Sequence, residues 1–138
     1  MPSMTFTGGC LCGSVQYKLS GNVLQFYHCH CSRCRKMTGT GHATNLMVGA
    51  DTVEWVKGES LLGHYKVPDA ERFYSLFCKQ CGSPLPRQVP ERGMVVVPAG
   101  SLDNDPGIKP EARIFWDSRA EWSCDAGVLP TFSEYPDR

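Results

Sequence analysis

The chain has 138 residues and a mass near 15.3 kDa, the size of one ordinary domain, and a single domain over residues 1–138 is expected. Its 14 Lys and Arg balance its 14 Asp and Glu, so the broad basic field that phosphate backbones call for is missing and no nucleic-acid partner is expected. With 41% hydrophobic and 20% charged residues the composition suits a folded chain, and the longest apolar run, residues 94–97, falls far short of the about 20 residues a membrane helix needs.

Gly (14) and Pro (10) punctuate the chain into short pieces, and no segment carries a long 3.6-residue apolar period. In chain order, β-rich or alternating runs at 14–19, 24–28, 52–56, 63–67 and 72–77 predict strands. One helical turn is expected at 34–38. Residues 94–97 read as a buried strand, 106–110 as a loop and 113–116 as a late strand. The tail, 124–138, is expected to lie over the surface. Short strands between turn residues predict an antiparallel, mostly β domain, with Trp55, Trp116 and Trp122 in its core. Thr38-Gly39-Thr40-Gly41 suits close approach of a ligand but lacks the Gly-Lys-Ser/Thr ending of a phosphate loop. His42 and His64 read as ordinary surface or core residues, and no Ser-His-Asp arrangement is legible.

The eight cysteines are the outlier. The first residues, Met1-Pro-Ser-Met-Thr-Phe, have neither the basic start nor the apolar stretch of a secretory leader, so the expected compartment is the reducing cytosol. Disulfides are rare there, and clustered cysteines point to metal. Seven of them form three clusters: Cys10-x-Cys12, Cys29-x-Cys31-x2-Cys34 and Cys78-x2-Cys81 followed by Gly82. In an extended segment side chains alternate, so Cys10 shares a face with Cys12 and Cys29 with Cys31. Gly82 permits a turn that folds back around an ion. Zinc, in tetrahedral geometry, is the expected occupant of such soft ligands.

Two pairs make a closed set of four: Cys10, Cys12, Cys78 and Cys81. The remaining Cys29, Cys31 and Cys34 leave a fourth position open, the pattern of catalytic zinc sites. That partition is preferred and not forced, because Cys124, His28, His30 or a carboxylate is available as a further ligand. Alternation turns His28 and His30 away from the neighbouring thiols, and Cys124, alone in the sequence, reads as a buried spacer. Arg33, Arg35 and Lys36 sit in or beside the three-cysteine cluster, where they offset thiolate charge or attract an anionic substrate.

The sequence resembles the glutathione-dependent formaldehyde-activating enzyme (GFA) or centromere protein V domain family. The likeness rests on Gly8-Gly9-Cys10-Leu11-Cys12-Gly13-Ser14-Val15, on the run from His28 to Lys36, and on Trp55 with Lys57-Gly58-Glu59. It continues through the run from Phe77 to Leu85, Gly100-Ser101-Leu102-Asp103, Trp116-Asp117-Ser118, Trp122 and Leu129-Pro130. The resemblance implies a β-tent fold of small antiparallel sheets with a zinc-ribbon-like site. It implies two zinc ions, one structural on Cys10, Cys12, Cys78 and Cys81, the other more labile on Cys29, Cys31 and Cys34. In the name-giving enzyme the reaction joins glutathione and formaldehyde into S-(hydroxymethyl)glutathione, a carbon–sulfur lyase reaction in reverse. Cys29, Cys31 and Cys34 are then the expected catalytic centre, and Arg33, Arg35 and Lys36 the groups that hold the thiol's carboxylates. The expected partners are a small thiol such as glutathione and a small aldehyde. Competing readings are a non-catalytic zinc module that binds another protein, and a thiol or metal redox sensor.

Overall fold

The computed structural model describes residues 3–123 and 128–136. Nine strands and one short helix build it: β1 (Met4–Gly9), β2 (Gln16–Cys29), α1 (Ser32–Thr38), β3 (Ala43–Gly49), β4 (Glu54–Lys57), β5 (Leu62–Lys66), β6 (Tyr74–Cys78), β7 (Arg87–Val89), β8 (Met94–Pro98) and β9 (Ala112–Ile114). The mostly β architecture of curled antiparallel sheets is as expected, with one exception: β9 runs parallel to β2. Among the described residues no helix is long and apolar enough to cross a membrane.

The organising element is β2, a single strand of 14 residues where two short ones, 14–19 and 24–28, were expected. Its first half pairs with β1 and β4; its second half pairs with β3 and β9. A register shift between Val23 and Gln25 bends the strand where it passes from one set of partners to the other. Ser20-Gly21-Asn22 has the residues of a turn, yet it stays paired, with Gly21 opposite Met4 and Asn22 opposite Gly49. A Cβ on Gly21 would collide with the Gly49 carbonyl, so the glycine here serves close backbone approach. Beyond β3 the sheet continues through β8 to β7, while β5 and β6 form a separate hairpin.

Three strands have no counterpart in the expected set. β3 lies between two partners and buries Ala43, Asn45, Leu46 and Val48, so it shows no simple alternation. β1 ends in Gly8-Gly9, which has the look of a turn; a Cβ on Gly8 would strike Tyr17 and the Ser101 carbonyl. β7 is three residues long. The core gathers Phe6, Tyr17, Leu19, Phe26, Leu46, Val48, Val95 and Val97 from one face of each of four strands, β1, β2, β3 and β8. Tyr17 is buried there; its hydroxyl donates to Ser101 Oγ at 2.6 Å, and Ser101 in turn donates to the Pro98 carbonyl at 2.7 Å. Burial pushes the Tyr17 hydroxyl up to about 12.

The tryptophans correct the expectation. Trp55 packs against the core, but Trp116 and Trp122 are 38% and 70% exposed. Both lie beyond β9, past the sheets, and polar partners cover what the core does not: the Arg113 and Arg119 guanidinium groups sit 5.4 and 4.4 Å from the Trp116 ring centre. Cys124 lies outside the described residues. Of the tail, residues 128–136 are exposed, as expected.

Candidate metal centres

Four thiols meet where two tight loops face each other. Cys10 and Cys12 occupy the connection from β1 to β2; Cys78 ends β6 and Cys81 follows in the next turn. Each loop closes on its own backbone. Gly13 N–H donates to the Cys10 carbonyl at 3.1 Å, and Gly82 N–H to the Cys78 carbonyl at 2.7 Å. Both glycines have positive φ, +77° and +79°, a conformation that favours glycine. The loops are also tied to each other, because Leu11 N–H donates to Ser83 Oγ at 3.0 Å.

The sulfurs fit zinc. All four lie within 4.8 Å of one another. Zinc–sulfur bonds of about 2.3 Å in a tetrahedron place sulfurs about 3.8 Å apart. Cys10 to Cys12 measures 3.6 Å and Cys12 to Cys78 3.9 Å. Donors are aimed at the sulfurs as well: Val15 N–H at Cys10 Sγ, 3.3 Å, and Gln80 Nε2 at Cys12 Sγ, 3.5 Å. The Ser83 hydroxyl holds the Cys81 thiol down at about 5, and the Ser14 hydroxyl lowers Cys12. Such donors favour the thiolate, the form that binds metal.

A second group joins Cys29, Cys31 and Cys34, whose sulfurs also lie within 4.8 Å of one another. Cys29 closes β2 and is buried. Cys31 caps α1: its sulfur accepts from Cys34 N–H at 3.3 Å and its carbonyl from Arg35 N–H at 3.0 Å. Gly39, at φ +70°, ends the helix. The cluster packs against Ala43, Phe73 and Ile114. The Cys34 thiol donates to Cys29 and holds it down at about 6, while that same bond and burial push Cys34 up. Among the described residues no histidine or carboxylate completes this group to four.

The histidines belong elsewhere. His28 stacks on His42 with ring centres 4.0 Å apart, and His30, 2% exposed, lies 5.0 Å from both the His42 and the Trp116 ring centres. Burial, with the neighbouring His42 and Arg113, lowers the pKa of both His28 and His30.

The three basic residues of α1 separate. Arg33 and Lys36, three positions apart, line one cleft with Met37, Tyr65 and Phe73. Arg35, two positions from Arg33, faces another way, and its Nε is buried without a hydrogen-bond partner. A fourth cation, Arg87 on β7, has no spacing signal in the sequence, yet it acts electrostatically on all three thiols. Its guanidinium carbon lies 4.7 Å from the Phe73 ring centre, and Arg33 approaches the same ring at 5.8 Å.

The fold and these thiol groups define a small β protein with one four-thiol and one three-thiol group, each able to hold a metal ion. A family model, glutathione-dependent formaldehyde-activating enzyme (GFA), matches residues 5–118, and the chain belongs to that family. A Rhodobacter sphaeroides protein of known crystal structure is similar, with a TM-score of 0.57 and 23% identity over 78% of this chain and 97% of that one. At that identity the likeness bears on the fold alone. No curated protein matches the chain.

Proposed function

We propose that the protein is a carbon–sulfur lyase of the S-(hydroxymethyl)glutathione synthase type, acting on the adduct of a small thiol, glutathione or a relative, with formaldehyde or another small aldehyde. The observation that carries this reading is the three-thiol group, which offers three sulfurs and leaves a tetrahedron incomplete among the described residues. Family membership supports the reaction type. Cys10, Cys12, Cys78 and Cys81 would hold a structural zinc. Cys29, Cys31 and Cys34 would hold a second ion, whose charge would favour the thiolate form of a thiol brought to it.

The chain's own residues do the rest. Cys34 and Cys31 are fixed by the first turn of α1, and Cys29 by the end of β2, so the three sulfurs keep one geometry. Arg33 and Lys36 present positive charge on one side of the helix for the thiol's carboxylates; Arg35 adds to the field from another side. In the forward direction the substrate's thiolate sulfur attacks the carbonyl carbon. A carbon–sulfur bond forms, the carbonyl π pair moves to oxygen, and that oxygen takes a proton from solvent. A thiolate nucleophile needs no separate general base for the attack.

Exchange between free formaldehyde and the hydroxymethyl adduct, followed by NMR with glutathione present, tests the reading. Exchange faster than the uncatalysed control, abolished in Cys34→Ala, is expected. No acceleration with two metal ions per chain present refutes the formaldehyde reaction, and acceleration that survives Cys34→Ala refutes the site.

A further inference from the structure

A cleft of about 870 Å³ opens between the β5–β6 hairpin and the β7–β8 pair, with Phe73, Tyr74 and Arg87 in its wall. Its charged residues divide by what they already do. Arg72 pairs with Glu91 at 3.3 Å. The Lys66 ammonium donates to the Val67 and Ala70 carbonyls and so closes the turn between the two strands of the hairpin. Asp69, Glu71 and Arg92 stand toward its rim, and two further cations, Arg87 and Arg33, line it as well. Both lie over the ring of Phe73, and Phe73 packs directly against the three-thiol group.

Arg87 is the more telling of the two. A guanidinium carries five donors and is costly to bury without acceptors. Among the described residues Arg87 has no carboxylate partner; its one hydrogen-bond contact is the weakly accepting thioether of Met37, 3.9 Å from Nη1. Burial lowers its pKa, while the thiols raise it. A planar fork held against an aromatic ring, short of acceptors and open to a cleft, is suited to a carboxylate taken in two parallel bonds.

We infer that Arg87, with Arg33 across the Phe73 ring, is the carboxylate-binding residue of this site, and that the cleft between the β5–β6 hairpin and the β7–β8 pair receives the acidic end of a peptide thiol whose sulfur reaches the three-cysteine group. This rests on the thiol reading above and adds a requirement to it: the substrate carries a carboxylate, and Arg87 selects for it. Arg87 contacts that carboxylate and takes no part in making or breaking the carbon–sulfur bond.

Calorimetric titration of the metal-loaded protein with two thiols tests this. Glutathione has carboxylates; cysteamine has a thiol and none. Loss of one charge-assisted, two-bond contact weakens binding about 10–100-fold. Arg87→Gln should weaken glutathione binding by that factor and leave cysteamine unchanged, with two metal ions per chain retained. Equal weakening of both thiols would show that Arg87 serves the thiol centre and overturn the inference, leaving the thiol reading intact. Unchanged glutathione binding would overturn it as well. If neither thiol binds the wild-type protein, the thiol reading itself fails and takes the inference with it. Should Arg87→Gln lose metal or fold poorly, Arg87→Lys decides, since it keeps the charge beside the thiols and loses the two-bond fork: a selective loss of glutathione binding supports the inference, and none overturns it.

Discussion

Replacing Cys81 by serine should remove the cross-link on which the fold depends. The four-thiol group joins the loop after β1 to the turn after β6, and its sulfurs come from positions 66 apart in the chain. By the chain-entropy relation for a covalent cross-link, closing a loop of that length is worth about 4 kcal/mol at 25 °C. Ligation adds to this, because structural zinc contributes free energy directly to folding. For a chain of 138 residues the entropy of unfolding is about 0.3 kcal/mol per kelvin near 60 °C, so 4 kcal/mol corresponds to about 14 °C in Tm. That is a large part of a total stability of about 5–15 kcal/mol. Cys34→Ala is the matched control: its group spans about five positions, and the same relation gives about 2 kcal/mol. Thermal unfolding followed by near- and far-ultraviolet circular dichroism, with metal counted per chain, compares the two. Cys81→Ser should melt at least about 14 °C below the wild type, or show no cooperative transition, with one metal ion lost. Cys34→Ala should lose one metal ion and keep a cooperative transition within about 7 °C of the wild type. A Cys81→Ser variant melting within about 3 °C of the wild type refutes the assignment of a fold-bearing metal to Cys10, Cys12, Cys78 and Cys81.

Tyr17, held at about 12 by burial against an unfolded value near 10, keeps its proton in the folded state longer than in the unfolded one. Its contribution is therefore complete below pH 10 and fades as pH rises from 10 to 12, by about 2–3 kcal/mol; urea melts across that range should show the loss in the wild type and a smaller one in Tyr17→Phe. Gly63 on β5 faces Phe77 on β6, and a Cβ there would enter the ring, so Gly63→Ala should destabilise by about 1–3 kcal/mol and, because β6 ends at Cys78, loosen the structural metal; a denaturant midpoint and metal retention equal to the wild type would count against this packing.

The thiol groups were legible because their determinants are local. A C-x-C or C-x2-C spacing can be read from a few residues, and the split into four and three sulfurs appears in space as it does on paper. What escaped the sequence depends on neighbours that local spacing cannot supply. β3 is hidden because burial between two partner strands erases the alternation by which a strand is recognised. The length of β2 was masked by Gly21, chosen for the approach of the Gly49 backbone and not for a turn. Trp116 and Trp122 carry the apolar mass of core residues, but their place after β9 leaves them at the edge of the sheets. Arg87 stands in Pro86-Arg87-Gln88, with no motif around it; only folding brings it over Phe73.

The two thiol groups differ in what they ask of the fold, and the difference fits the catalytic role proposed for the three-thiol group. The four-thiol group is assembled from two loops joined directly by the Leu11–Ser83 hydrogen bond, and although Leu62 and Leu76 of the β5–β6 hairpin also pack on the core, an ion there would tie together segments far apart in sequence. The three-thiol group draws its sulfurs from the end of β2 and the start of α1, a stretch already ordered by the Cys31 cap and by pairing with β3. The Cys31 cap and the β2–β3 pairing that place its sulfurs involve no fourth ligand. A site that exchanges a ligand in each turnover must tolerate an incomplete set, and local backbone order supplies that tolerance. The surrounding charge follows the same division: backbone and neutral side-chain donors face the closed group, whereas Arg87 and Arg33 stand beside the open one. Neutral donors balance sulfur charge that stays fixed; mobile anionic substrates call for full positive charge, placed beside the position they enter.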